Sequence, residues 1–173
     1  MRKVLVVVDM QNDFVDGSLG TKEAQAIVGS VVKKIKKYRP ADIYVTRDTH
    51  QDNYMETSEG KQLPVVHCVE GTAGWEICSP VEKELKEAVI INKPTFGSTV
   101  LADLLSKENL SEELEIELVG LCTDICVVSN ALLLKAVMPD NRICVDASCC
   151  AGVTPESHQA ALTTMKMCQI HIV

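Results

Sequence analysis

Four residues able to do chemistry stand just beyond the apolar runs of this 173-residue chain. Asp9 follows Val4–Val8, Asp48 ends the run begun by Ile43–Val45, Lys93 follows Val89–Ile91, and Cys126 is reached through Gly120 from Ile116–Val119. A single strand-end acid usually caps the next helix; two acids, an amine and a thiol on one edge point to chemistry. A thiol attacks a carbonyl when a base takes its proton and fixed donors hold the oxyanion that forms. The segment Val119-Gly120-Leu121-Cys122-Thr123-Asp124-Ile125-Cys126 leads from a strand through a tight turn into an apolar helix. Cys126 is therefore expected at a helix start, where the backbone dipole favours the thiolate and free N–H groups can hold an anion. His158 and His171 belong to the last helix and strand, far in sequence from this edge, so Asp9 is the better base, with Lys93 setting the charge balance. Cys122 reads as structural with a functional backbone N–H. Cys68, Cys78, Cys144 and Cys168 read as small buried hydrophobes, and Cys149 and Cys150 fit either reading.

A second group has the donor types of a metal site. Asp48-Thr49-His50 offers two ligands on one side of an extended backbone, and Glu59 and His67 follow in the same long segment. Two imidazoles and two carboxylates suit zinc, iron or manganese rather than calcium. Loop His and Glu residues are also often simply solvated, and the spacing matches no zinc-finger pattern. Six aromatic rings occur in the whole chain, and Phe14, Phe96, Tyr54 and Trp75 fall near this edge. Ring walls there suit a flat, partly apolar ligand; Tyr54 reads better as a loop anchor. No glycine-rich dinucleotide turn follows the first strand, and neither a P-loop nor a serine-hydrolase nucleophile pattern is present.

The elements that must position these groups follow from hydropathy. Apolar runs at Val4–Val8, Ile43–Val45, Val89–Ile91, Ile116–Val119, Ile143–Val145 and Ile170–Val173 are too continuous for strands with one wet face. They read as strands buried on both sides. Helical spacing links Ala24, Ile27, Val28, Val31, Val32 and Ile35; shorter helices are expected over Val100–Leu105 and Val127–Val137, and Thr154-Pro155-Glu156 opens a last one. The alternation predicts a three-layer α/β fold, a roughly six-stranded, mostly parallel sheet with helices on both faces, in a single domain spanning 1–173. Asp48 to Pro80 breaks the rhythm, and a segment that long without a period is usually functional. Hydrophobic residues make up 46% and charged ones 24%, as in globular domains, and the net charge of −7 argues against nucleic acid. No apolar run approaches a membrane span or a secretion signal, so a cytoplasmic protein with reduced cysteines is expected.

The sequence resembles the isochorismatase-like cysteine hydrolases, in particular their nicotinamidase (pyrazinamidase) branch. The carriers are Val8-Asp9-Met10-Gln11-Asn12-Asp13-Phe14, Asp48-Thr49-His50, Glu59 to Cys68, Gly71 to Glu76, Lys93-Pro94-Thr95-Phe96-Gly97-Ser98 and Gly120 to Cys126, so the likeness spans essentially the whole chain. It implies a triad of Cys126 as nucleophile, Asp9 as base and acid, and Lys93 as charge partner. It also implies an oxyanion hole from the N–H groups of Cys122 and Cys126 beside a cis Leu121–Cys122 bond. A divalent ion, zinc first and iron or manganese next, would be held by Asp48, His50, Glu59 and His67. Phe14 and Trp75 would sandwich an aromatic amide, with Phe96 nearby, and homo-oligomers are expected. The reaction implied converts nicotinamide to nicotinate and ammonia, in NAD salvage. Two alternatives stand beside it: a metal-free amidase of the same superfamily acting on a carbamoyl or other small acyl substrate, and a non-catalytic thiol-containing binding protein.

Overall fold

The computed structural model describes residues Met1–Val173. Six strands form one sheet: β1 (Arg2–Val8), β2 (Ile43–Asp48), β3 (Val89–Lys93), β4 (Leu114–Leu121), β5 (Ile143–Ala151) and β6 (His171–Ile172). Their order is β3-β2-β1-β4-β5-β6, and every neighbouring pair is parallel. The helices are α1 (Asn12–Val15), α2 (Lys22–Ile35), α3 (Ser58–Gln62), α4 (Ser79–Glu82), α5 (Thr99–Asn109), α6 (Val128–Val137) and α7 (Pro155–Met167).

The continuous apolar run of β1 is explained by what covers it. Val4, Val6 and Val8 pack into one cluster with Leu101 and Leu105 of α5, Ala131 and Leu134 of α6, and Leu162 and Met165 of α7. Leu5 and Val7 point the other way, into a cluster with Ala24, Ile27, Val31 and Ile35 of α2 and Val81 of α4. Both faces are dry, so no alternation is written into the strand. Side-chain caps start the long helices: Thr21 accepts from Ala24 N at 3.0 Å, Ser98 from Leu101 N at 3.1 Å, and Thr154 and Ser157 form a reciprocal capping box.

Several expected boundaries move. α5 runs from Thr99 to Asn109 and is longer than its apolar stripe, because Ser98 caps it and its last turn is polar. β6 is only two residues long. The segment after Asp48 is broken by a short 3-10 turn (Tyr54–Glu56) and by α3 and α4, elements too short to leave a period in the sequence. Cys168 caps α7 at the surface and is not a packed hydrophobe.

Under the second half of α2 the sheet is polar. Lys34 Nζ lies 2.8 Å from Glu117 Oε1 and 2.7 Å from Asp146 Oδ2, while Tyr38 donates its hydroxyl to Glu117 and Ser148 donates to Asp146. Burial alone would raise the Asp146 carboxyl, but Lys34 and Ser148 outweigh it and hold it below the ordinary value. The folded state then binds fewer protons there than the unfolded chain. Its stabilisation is complete above about pH 4 and is lost as pH falls through the depressed folded value. Removing Lys34 leaves two shielded carboxylates facing each other, at a cost of about 3 kcal/mol. Lys34→Ala should lower the melting temperature by roughly 6–12 °C at neutral pH, with the deficit shrinking in acid; an equal deficit at pH 3 and pH 7 would refute this assignment.

Candidate active site

The strand order reverses between β1 and β4, and ligands of open parallel sheets bind at such a point, beyond the carboxyl ends of the strands. The register sets the site residues side by side. Val8 lies opposite Thr46 on one side and Gly120 on the other, and Asp48 lies opposite Lys93. Asp9 leaves β1 with φ +46°, a left-handed conformation rare outside glycine that costs on the order of 1–3 kcal/mol and concentrates at functional sites. Its backbone is held there by Asp9 N donating to Thr46 O and Gln11 N donating to Asp9 O.

Three side chains meet at this point. Lys93 Nζ lies 2.7 Å from Asp9 Oδ2 and donates to Cys126 Sγ at 3.4 Å. Asp9 and Lys93 are 0% and 1% exposed and Cys126 4%, so their charges are confined to one another. Thr46 Oγ1 donates to Asp9 Oδ1 at 2.6 Å, while the buried Oδ2 has no aligned donor beyond its ion pair. Burial raises the Asp9 carboxyl above its ordinary range, with the Lys93 charge opposing it. Burial works against the Lys93 ammonium, but the charges of Asp9 and Asp48 and the contact with Asp9 prevail and keep it protonated.

The thiol departs from expectation. Burial, with Asp9 reinforcing it, holds Cys126 well above the ordinary thiol value. Desolvation of a buried sulfur next to a carboxylate outweighs the helix-start dipole and favours the neutral thiol beside the Asp9–Lys93 ion pair. The thiol and the Asp9 carboxylate meet through the Lys93 ammonium that both contact.

The turn that carries Cys126 is wide. Gly120 has φ +116°, and a Cβ there would sit 2.1 Å from Val8 O, so only glycine lets β4 approach β1 so closely. The Leu121–Cys122 bond is cis. In the turn Thr123–Val127, Cys122 O accepts from Ile125 N at 3.1 Å and Val127 N at 3.0 Å, passing over the N–H of Cys126. Asn130 on α6 ties this turn to the segment after Lys93: its Nδ2 donates to Cys126 O and Phe96 O, and its Oδ1 accepts from Ser98 N.

The second cluster also converges. Asp48, His50, Glu59 and His67 each bring a ligand atom within 4.8 Å of the others. His50 Nε2 lies 3.0 Å and His67 Nε2 3.5 Å from Asp48 Oδ2, and both are 3.8 Å from Glu59 Oε1. His67 Nδ1 faces Val65 O at 2.8 Å, which fixes the ring with Nε2 toward the cluster, the outer hydrogen bond that metal-binding imidazoles commonly have. Burial would raise the Asp48 carboxyl, but His50, His67 and Lys93 pull it below the ordinary range. Two imidazole nitrogens and two carboxylates gathered in a partly buried pocket fit a borderline divalent ion.

A cavity of about 590 Å³ lies over both clusters. Cys126, Cys122, Asp48, Glu59 and His67 reach it among walls that include Phe14, Leu19, Leu63, Phe96 and Ile125, and no Lys or Arg lines it. Phe14 stands edge-on to His67 with centroids 5.5 Å apart, and Phe96 is 44% exposed at the rim. Tyr54 packs against both imidazoles and donates to Leu63 O, which makes it the expected anchor.

Trp75 is not brought to the cavity. Its Nε1 donates to Thr49 Oγ1 at 2.9 Å and Arg47 covers its ring at 3.6 Å, so it buttresses the outer side of the Asp48–His50 strand end. A ring in a loop does not reveal from sequence which side of that loop it takes. His158 is far in sequence from this edge, yet its Nδ1 lies 2.8 Å from Thr123 Oγ1 in the turn that carries Cys126; His171 sits on the far edge strand β6. Residue type gives no signal for Gln11, whose amide accepts from Asp48 N and donates to Asp48 O and Trp75 O, or for Thr46 and Asn130.

Residues 3–173 match the Isochorismatase domain family. The chain is 26% identical to the nicotinamidase/pyrazinamidase of Mycobacterium tuberculosis over 99% of this chain and 98% of that one. It is 28% identical to a "probable inactive nicotinamidase" of Arabidopsis thaliana over 94% of this chain and 87% of that one. The crystal structure of Pyrococcus horikoshii pyrazinamidase in complex with zinc superposes with a TM-score of 0.82 at 29% identity, covering 100% of this chain and 99% of that one. With the fold, the strand-end groups and the match along nearly its whole length in agreement, this chain belongs to the isochorismatase family.

Proposed function

We propose that the protein hydrolyses a small, uncharged aromatic amide of the nicotinamide type to the carboxylic acid and ammonia, with Cys126 as nucleophile. The observation that carries this reading is the meeting of Asp9, Lys93 and Cys126, at 2.7 and 3.4 Å, where Cys126 opens onto a largely apolar cavity. The Mycobacterium tuberculosis and Pyrococcus horikoshii relatives are a nicotinamidase/pyrazinamidase and a pyrazinamidase, which supports the same substrate class.

In this reading Asp9 takes the Cys126 proton as sulfur bonds to the carboxamide carbon, so no stable thiolate is needed beforehand. The N–H groups of Cys122 and Cys126 hold the oxyanion, an interaction for which the loss of one donor typically costs about 2.7–4 kcal/mol. Asp9 returns its proton to the leaving nitrogen, the C–N bond breaks, ammonia departs and a thioester remains. Water then attacks the thioester carbon while Asp9 takes its proton; the C–S bond breaks, the acid is released, and the proton on Asp9 returns to sulfur. Lys93 stays charged throughout and keeps Asp9 from binding a proton too tightly. Asp48, His50, Glu59 and His67 would hold a divalent ion, which supplies a Lewis-acid anchor for a ring nitrogen.

The lining of the cavity favours this substrate over a carbamoyl amino acid. No Lys or Arg of the wall could pair a substrate carboxylate, whereas a neutral heteroaromatic amide meets Phe14, Leu63 and Phe96. The test is ammonia release from nicotinamide, pyrazinamide and carbamoyl compounds. Turnover of the first two with little of the third is expected, and turnover of carbamoyl acids alone would overturn the assignment. No turnover of any of them, with an intact fold, would favour the non-catalytic reading that the inactive plant relative raises.

The ligand set makes a separate prediction. The purified protein should carry about one equivalent of divalent metal, and His67→Ala or His50→Ala should weaken its binding by roughly 10–100-fold or more, measured by elemental analysis after dialysis. Unchanged metal content in both variants would remove these residues from the site.

A further inference from the structure

The turn between Cys122 and Cys126 is braced from outside the cavity. Thr123 is fully buried, and its hydroxyl meets one partner, His158 Nδ1 on the first turn of α7, at 2.8 Å. Two more contacts fix α7 and its approach against the same turn. The Asp124 carboxylate accepts from Val153 N at 3.1 and 3.2 Å, and Gly152 lies so close to His158 that a Cβ would sit 2.9 Å from its backbone. A buried hydroxyl needs an acceptor, and His158 Nδ1 is the one within reach; the Nε2–H tautomer supplies it. We infer that His158, acting through the Thr123 hydroxyl, is a positioning residue that fixes the backbone N–H groups of Cys122 and Cys126 where the oxyanion forms.

The inference rests on the proposed amide hydrolysis for its kinetic consequence, but the geometry makes a demand independent of it. Thr123 directly follows one oxyanion donor and precedes the other by three residues, so a backbone shift at Thr123, once its hydroxyl is untethered, moves both. Donors act on charge that develops in the transition state, and a misplacement of about 1 Å can cost on the order of 10²-fold. The effect therefore belongs on kcat and not on KM. Burial favours the uncharged imidazole, the form able to accept from Thr123, with the Asp124 charge opposing; no other charged group of the turn, β5 or α7 bears on it.

Four variants test this. Thr123→Val removes the hydroxyl at constant shape and His158→Leu removes the acceptor. Thr123→Ser keeps the hydroxyl, and His158→Asn keeps an oxygen near the position of Nδ1. With nicotinamide, Thr123→Val and His158→Leu should each lower kcat by about 10–100-fold at unchanged KM. The double variant should fall no further than the worse single one, because both break the same contact. Thr123→Ser and His158→Asn should stay within about threefold of the parent. Amide hydrogen exchange on the same proteins should quicken by about tenfold or more at residues 122–127 in Thr123→Val and His158→Leu and not elsewhere. An unchanged kcat in both, an effect on KM alone, or failure of the conservative pair to rescue would overturn the assignment. If the parent protein does not act on nicotinamide, the functional reading fails by itself. Exchange then decides the positioning role: local quickening supports it, and unaltered exchange at 122–127 ends it.

Discussion

Cys126→Ala should reduce ammonia release from nicotinamide by a factor on the order of 10⁶, the scale seen when an activated nucleophile is deleted. In the proposed reaction sulfur is the atom that bonds to substrate, and Cys126 is the thiol that accepts from Lys93, the partner of Asp9. Asp9→Asn, isosteric but unable to take a proton, should cost about 10²–10⁴-fold. The double variant should be no slower than Cys126→Ala, since base and nucleophile act as one unit. Independent, multiplying losses would mean that Asp9 serves something other than Cys126. The pH profile supplies a further check. Asp9 must be ionised to accept the thiol proton, and burial raises its carboxyl, so the acid limb of kcat/KM should lie above the ordinary carboxylate range, with activity retained on the alkaline side.

The second large effect concerns stability. Lys93 Nζ lies 2.7 Å from Asp9 Oδ2 and 3.7 Å from Asp48 Oδ1, with almost no exposure. Lys93→Met should fill the same space yet leave two enclosed carboxylates without their cation. Breaking a buried pair in this way costs about 3–5 kcal/mol, or a drop of roughly 6–20 °C in melting temperature for a chain of this size. The sign can be separated from packing by a second change. Lys93→Met combined with Asp9→Asn removes one stranded charge and should recover part of the loss. If the double variant melts below Lys93→Met, the destabilisation comes from lost volume and contacts and not from charge.

What the sequence reveals and what it conceals divide along physical lines. Val4–Val8 announces a strand covered on both faces because each of its side chains has to be apolar. Asp9, Lys93 and Cys126 are legible because strand ends in a parallel sheet share one edge, and Asp48, His50, Glu59 and His67 because their side chains are metal-ligand types. Gln11 and Asn130 carry no such signature. Each is a neutral amide that reaches across more than 30 residues of chain to a backbone group, an interaction with neither period nor spacing. The Cys126 thiol misleads because the helix start is readable while the desolvation that outweighs it depends on the whole fold. Trp75 misleads because a loop's position is readable and its inward face is not. His158 shows that distance in sequence is a poor guide in a parallel sheet, where a late helix returns beside a central strand end.

The proposed reaction requires covalent attachment of the acyl group to Cys126. It is tested most directly by acid-quenching the protein during turnover of nicotinamide and weighing the peptide that contains this residue. A fraction of that peptide heavier by the pyridine-3-carbonyl group is the predicted result. Sustained turnover with Cys126 unmodified at every quench time, together with an active Cys126→Ala protein, would contradict it.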